Sequence, residues 1–297
     1  METILIAGGT GLIGQELTAY WQQQGHTVRL LTRQASNPKT GRYHWNPQTS
    51  EMDIAALEGV TVLVNLCGAG ITDKRWTKSR IRELFDSRVG TTACLWQHAQ
   101  SSPTLKRYLS ASGAICYGFE DDTKTYTETD PFGTDLLSVI TRDWEAAADL
   151  FAEKCPVTKI RISAVISGKG GAVPTIAKPI RWGFGTILGS GKQAMPWIHI
   201  HDLVRVFDWT LTHNLSGAYH ACADNTDNAT LTRAIAKALG KKIWLPKAPG
   251  FVLKLALGKM SVMVLKGLKV SNGKLVGTGF GFDYPEVERA VREVILG

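Results

Sequence analysis

Apolar runs alternate along the chain with stretches of helical periodicity. Thr3 to Ala7 is short and wholly apolar, as in a parallel strand covered on both faces. Gly8 to Gly14 reads as a turn. The segment after it places Ile13, Leu17, Tyr20 and Trp21 on one helical face and stops at Gly25. Thr27 to Thr32 is a second strand, which completes a β-turn-α-β unit. Further strands are predicted at Val60 to Leu66, Lys106 to Ser112, Val157 to Ile162 and Ala218 to Cys222. Helices are predicted at Ser87 to Ala99 and at Ser138 to Lys154, the second halted by Pro156.

The pattern changes after Ser167. Ser167 to Pro196 is rich in Gly, Pro and basic residues, with a short helix beginning near Pro174. Trp197 to Ile200 reads as extended. Asp202 is read as the N-cap of a helix that runs to His213. Thr230 to Leu239 is a helix ended by Gly240, and the tail 241–297 is mostly helical, closing with Glu286 to Leu296. The expected fold is α/β, a doubly wound parallel sheet of the Rossmann type with a smaller, mostly helical substrate lobe. On this reading residues 1–165, completed by about 197–222, form the nucleotide-binding domain. Residues 166–196 and 223–297 form the lobe.

The turn carries the first chemistry. Gly8, Gly11 and Gly14 have GxxGxxG spacing between a predicted strand and a predicted helix. Gly8 permits the tight exit from the strand, Gly11 the close approach of a pyrophosphate, and Gly14 tight helix packing. Thr10, Leu12 and Ile13 complete the phosphate-facing turn, where the helix N-terminus offers free N–H groups. The second strand ends in Thr32 and Arg33, with no carboxylate to hold a ribose 2′-hydroxyl. A guanidinium there can pair with a 2′-phosphate, so NADP is favoured over NAD; the alternative is a plain surface arginine. Leu66, Cys67, Gly68 and Ala69 end another strand with mainly small residues that leave room for a cofactor ribose.

Composition narrows the rest. The net charge is +8, but Lys and Arg are scattered, so a solvated surface with an anionic-cofactor pocket is preferred over nucleic acid or a membrane surface. The five cysteines form no CxxC pair, and no metal site is expected. No apolar run reaches membrane-spanning length. No basic leader precedes Ile4, and a cytoplasmic location is expected. A small molecule is the expected partner, and a homodimer is a candidate assembly.

The glycine turn resembles the TGxxGxxG motif of the extended short-chain dehydrogenase/reductase superfamily, in its NAD-dependent epimerase and dehydratase branch, with Ala7 in place of Thr. Ser110 to Gly118 resembles its Ser-rich strand end followed by Tyr-Gly, and Trp197 to Asp202 its late HxxD segment. Trp244 to Phe251, Leu257 to Met260 and Gly279 to Pro285 are similar to the C-terminal domain of one subgroup, the "epimerase family protein" group. Gly70 to Trp76 and Gly189 to Gln193 are similar to other segments of that subgroup.

The resemblance implies a Tyr and, four residues later, a Lys beside the nicotinamide. This chain lacks that pair: the positions fall near Leu137 and Thr141. The superfamily's Ser falls at Gly113, with Ser112 the nearest hydroxyl. Ser112 and Tyr117 are therefore the catalytic candidates, with backbone satisfaction and substrate orientation as the respective alternatives. Arg75, Trp76, Arg161 and His199 are candidates for contact with substrate; a core arginine paired to a carboxylate is the other reading of Arg161. Three functions compete. One is an NADP-dependent oxidoreductase or epimerase-like enzyme acting on a small or sugar-like substrate. The second is a module that binds NADP(H) as a signal without turnover. The third is a membrane-surface protein using the basic stretch Phe251 to Lys269.

Overall fold

The computed structural model describes residues 1–119, 121 and 123–297. Its centre is an eight-stranded sheet. In spatial order the strands are Gly217–Ala221, Val157–Ile162, Arg107–Gly113, Val62–Asn65, Thr3–Ala7, Thr27–Thr32, Arg42–Asn46 and Glu51–Met52. All neighbours pair in parallel except the last two, which are antiparallel. The first strand lies in the middle, so the turn that follows it opens at the carboxyl edge, where strand order reverses.

Alternation along Thr3–Ala7 builds both layers of the core. Ile4 and Ile6 face Leu17 and Trp21 of the helix Leu12–Gln23, together with Leu203 and Phe207 of the helix Ile200–Thr212. Leu5 and Ala7 face the other way, into a cluster with Leu95, Ala148 and Phe151. The Trp21 indole would be a buried orphan donor, but its Nε1 donates to Asp208 at 2.9 Å.

A second sheet orders Asp224–Asp227, Ala194–His199 and Ala164–Ile166. It carries a separate core of Val173, Ile180, Leu231, Ile235 and Val291. A two-stranded pair joins Thr125–Tyr126 to Lys269–Val270.

Three elements differ from the sequence pattern. The helix expected from Ser87 starts earlier: Lys78–Phe85, capped by Thr77 Oγ1, runs through a π turn at Asp86–Gly90 into Thr91–Ala99. Asp202 is not an N-cap. His199 caps that helix, while Asp202 lies fully buried one turn in, accepting from Asp283 N and Tyr284 N and pairing with Arg205. The tail is a chain of short helices, with Gly250–Leu257 and Val287–Leu296 the longest, joined by irregular backbone.

Candidate dinucleotide site and buried polar network

The glycine turn closes against the neighbouring strand. Gly8 sits at φ +82°, and a Cβ there would lie 2.9 Å from the Leu66 carbonyl carbon. A Cβ on Gly14 would lie 2.5 Å from Gly8 O, so only hydrogen fits where the helix crosses the turn. A Cβ on Gly11 meets nothing nearer than Gly8 O at 3.3 Å, and beyond it the space is open. Gly11 is the N-cap of Leu12–Gln23 and supplies no side-chain cap. The N–H groups of Leu12, Ile13 and Gly14 therefore project from the helix end without an intrahelical acceptor. Thr10 is exposed beside them. These features fit a diphosphate.

Thr32 Oγ1 accepts from Gln34 N at 3.2 Å. Arg33 is exposed and makes no ion pair among the described residues.

The loop from Leu66 to Gly70 is held by groups that the sequence reading did not single out. Asn65 Oδ1 accepts from Cys67 N at 3.0 Å, and Ser87 Oγ accepts from Ala69 N at 2.9 Å. Arg88 donates to Ala69 O at 3.0 Å and Leu84 O at 3.1 Å, and Arg80 donates to Gly70 O. A Cβ on Gly68 would lie 3.1 Å from the Arg88 guanidinium carbon. Burial, then the nearby Arg80 charge, lowers the Arg88 pKa to about 10. Burial pushes the Cys67 thiol up to about 12, so it offers no thiolate.

At the end of Arg107–Gly113 the resemblance's three positions come together without their chemistry. A Cβ on Gly113 would lie 3.8 Å from Thr141 Oγ1. Thr141 donates back to Leu137 O at 2.7 Å, and both side chains are buried. No phenol or amine stands there.

Ser112, one residue earlier, donates to Glu145 Oε1 at 2.6 Å, one turn along the same helix from Thr141. Glu145 also accepts from Arg161 Nε at 2.8 Å and Nη2 at 2.9 Å, a bidentate pair in which both residues are 4% exposed. Arg161 Nη1 donates to the Tyr117 hydroxyl at 2.6 Å and to Glu128 O at 3.2 Å. That hydroxyl lies 2.7 Å from both His220 Nε2 and Thr127 O. The His220 Nδ1 in turn lies 2.7 Å from Ser271 O, in the C-terminal segment. Ser112, Tyr117 and Arg161 thus belong to one enclosed network, and Arg161 takes the core reading: its donors are turned to protein acceptors and its accessible surface is nearly gone. Burial raises the Tyr117 pKa, which disfavours the phenolate.

His199 stands apart from this network. Its Nδ1 accepts from His201 N at 3.2 Å, its Nε2 lies 2.9 Å from Glu293, and its ring stacks on Tyr284 at 3.9 Å. The side chain expected at a substrate surface instead docks the C-terminal helix. Arg75 reaches across to the end of Gly250–Leu257, donating to Leu255 O at 2.9 Å and Ala256 O at 3.2 Å. Trp76 is half-buried, its Nε1 bonded to Ile71 O at 2.9 Å.

Burial holds both His199 and His220 below the ordinary value of 6.5. The unfolded chain therefore takes up these protons first. Their contribution to stability is complete above about pH 6.5 and is lost as the pH falls below it. Urea midpoints should drop on going from about pH 7 to about pH 5, and the slope should flatten in His220→Gln. An unchanged slope in that variant would mean that His220 is not the group taking up the proton.

A central first strand, a glycine turn at the point of strand reversal and an uncapped helix end define a Rossmann-type dinucleotide site. Residues 4–222 match the NAD dependent epimerase/dehydratase family, and residues 248–294 match a domain of unknown function, DUF1731. The chain belongs to that epimerase/dehydratase family, in the branch that carries the extra C-terminal domain. It is 33% identical over 301 residues to the epimerase family protein SDR39U1 of Mus musculus, covering 98% of this chain and 99% of the mouse protein. It is also 33% identical over 303 residues to the epimerase family protein SSP1921 of Staphylococcus saprophyticus, covering 99% and 100%. The crystal structure of human SDR39U1 (isoform 2) with NADPH superposes with a TM-score of 0.89 at 30% identity, covering 99% of both chains.

Proposed function

We propose that the chain is an NADP(H)-dependent oxidoreductase or epimerase-like enzyme acting on a small or sugar-like substrate. The observation that carries this reading is the uncapped helix end at Gly11 with Arg33, exposed and in no ion pair among the described residues, at the end of the adjacent strand. The N–H groups of Leu12, Ile13 and Gly14 bind the pyrophosphate. Arg33 pairs with the 2′-phosphate, and the loop Leu66 to Ala69 borders the nicotinamide-side ribose. When bound, the cofactor supplies or accepts hydride. The human relative solved with NADPH supports the choice of cofactor.

Leu137 and Thr141 exclude the usual proton transfer, since neither holds an ionisable group. That absence favours a second reading, an NADP(H)-responsive binding protein without turnover. Two measurements separate them. Fluorescence titration should show NADPH binding more tightly than NADH. Arg33→Asp should weaken NADPH by about 30-fold, through loss of charge-assisted hydrogen bonds, and leave NADH nearly unchanged. NADPH oxidation is then followed against aldehydes, ketones and nucleotide sugars. Turnover with any class supports the enzyme. Silence across all of them, with binding intact, selects the binding protein, and failure to bind either dinucleotide overturns both.

A further inference from the structure

Residues 163–201 and 228–282 hold fourteen of the 34 Lys and Arg and none of the 26 Asp and Glu. Parts of these two stretches are core, and their exposed parts meet in the C-terminal lobe. The segment after the helix Ala172–Arg181 runs beside the segment before Gly250–Leu257. Thr186 Oγ1 donates to Pro246 O at 2.6 Å, Ala248 N donates to Ile187 O at 2.9 Å, and Leu188 bridges to Ala248. Along this seam five large apolar side chains stand out of the surface. Trp182, Phe184, Trp244, Phe251 and Leu255 are each between 65% and 82% exposed. Gly250–Leu257 has no buried residue at all. Lys178, Arg181, Lys241, Lys242, Lys254 and Lys259 are exposed around them, and none forms an ion pair among the described residues.

We infer that this face docks onto an anionic lipid bilayer, with Gly250–Leu257 lying in the interface plane. Exposed cations on acid-free stretches of chain, beside Trp and Phe, match a negatively charged surface that also has an apolar interior. A second copy of the same face would bring like charges together, which disfavours self-association there. Nucleic acid would satisfy the lysines and could stack the aromatic rings, but it offers nothing to Leu255 and Val252, which are exposed on the same helix. No helix of the described residues is long and apolar enough to cross a membrane, so the docking is peripheral. Arg75 ties the docking helix to the loop that follows the cofactor-side strand, so lipid contact and the dinucleotide site share one connection.

The test is co-sedimentation of the full chain with phosphatidylcholine vesicles, with and without phosphatidylglycerol. Pelleting should require phosphatidylglycerol and weaken as salt rises. Lys254→Glu/Lys259→Glu and, separately, Phe251→Ser/Leu255→Ser should each lower the partition coefficient by at least about tenfold. NADPH affinity should be unchanged in both, which shows that the variants remain folded. Absence of pelleting with either vesicle overturns the inference, as does equal pelleting with neutral vesicles. Pelleting that both double variants retain would overturn the assignment of this face. Binding of single-stranded nucleic acid without vesicle binding would give the charge to a different partner and likewise overturn it.

Discussion

Gly11→Val should abolish measurable NADPH binding while leaving the fold intact. The backbone at Gly11 is extended (φ −77°, ψ 175°), a conformation that valine adopts readily. The new Cβ would meet only Gly8 O, at 3.3 Å, a contact relieved by a few tenths of an ångström. Its methyl groups would then occupy the open space in front of the helix end, where the pyrophosphate must come within hydrogen-bond reach of three N–H groups. Loss of those charge-assisted bonds corresponds to at least about a 100-fold weaker complex. The change in unfolding free energy should stay within about 1 kcal/mol, as for a surface substitution. Gly14→Val is the contrast. Its Cβ would lie 2.5 Å from both Gly8 O and Gly9 Cα, against backbone that cannot move aside. That variant should lose about 3 kcal/mol or more of stability along with binding. Titration calorimetry and urea denaturation on the two variants separate a lost ligand contact from a broken turn. Wild-type NADPH affinity in Gly11→Val would place the dinucleotide elsewhere.

Much of the sheet was legible because parallel strands buried on both faces must be apolar throughout, as Thr3–Ala7 and Val62–Asn65 are nearly so. The glycine turn was legible because its backbone conformation restricts residue choice. Other elements gave weaker signals. The helix Lys78–Phe85 buries Arg80 and Leu84, and a buried arginine breaks the apolar period that marks a helix. The strand Arg42–Asn46, next to the sheet edge, buries only Tyr43 and Trp45, an alternation too short to stand out. Asp202 looks like a cap because it is an acid near a helix start. Its carboxylate is instead taken by backbone N–H groups some eighty residues later, a contact that local pattern cannot show. The same holds for the polar network. Ser112, Tyr117 and Arg161 each carried a site expectation from the resemblance; Glu145 joins Ser112 to Arg161, and Arg161 reaches Tyr117. One signal was available: Glu145 falls on the same helical face as Thr141 and Ala148, and a carboxylate on a buried stripe needs a cationic partner.

Glu145→Ala should therefore be among the most destabilising single substitutions in the protein, by about 3–5 kcal/mol. Removing the carboxylate strips Arg161 of its bidentate partner at a site where that residue is 4% exposed, and it takes the acceptor from Ser112 Oγ. Desolvation of an unpaired charge, rather than loss of one contact, sets that magnitude. The double variant Glu145→Ala/Arg161→Leu should recover part of the loss, because it removes the orphaned charge and returns apolar volume. Urea denaturation of the two single variants and the double variant closes the cycle. If Glu145→Ala costs less than about 1 kcal/mol, the pair is not a structural post. Glu145 would then be free to serve as an acid or base, and Glu145→Gln, nearly isosteric, would be expected to remove turnover without unfolding the chain. The geometry argues for the first outcome. Arg161 links this carboxylate to the Tyr117 hydroxyl, and that hydroxyl reaches His220 and through it Ser271 of the tail, so the network fastens the C-terminal segment to the sheet that carries the dinucleotide turn.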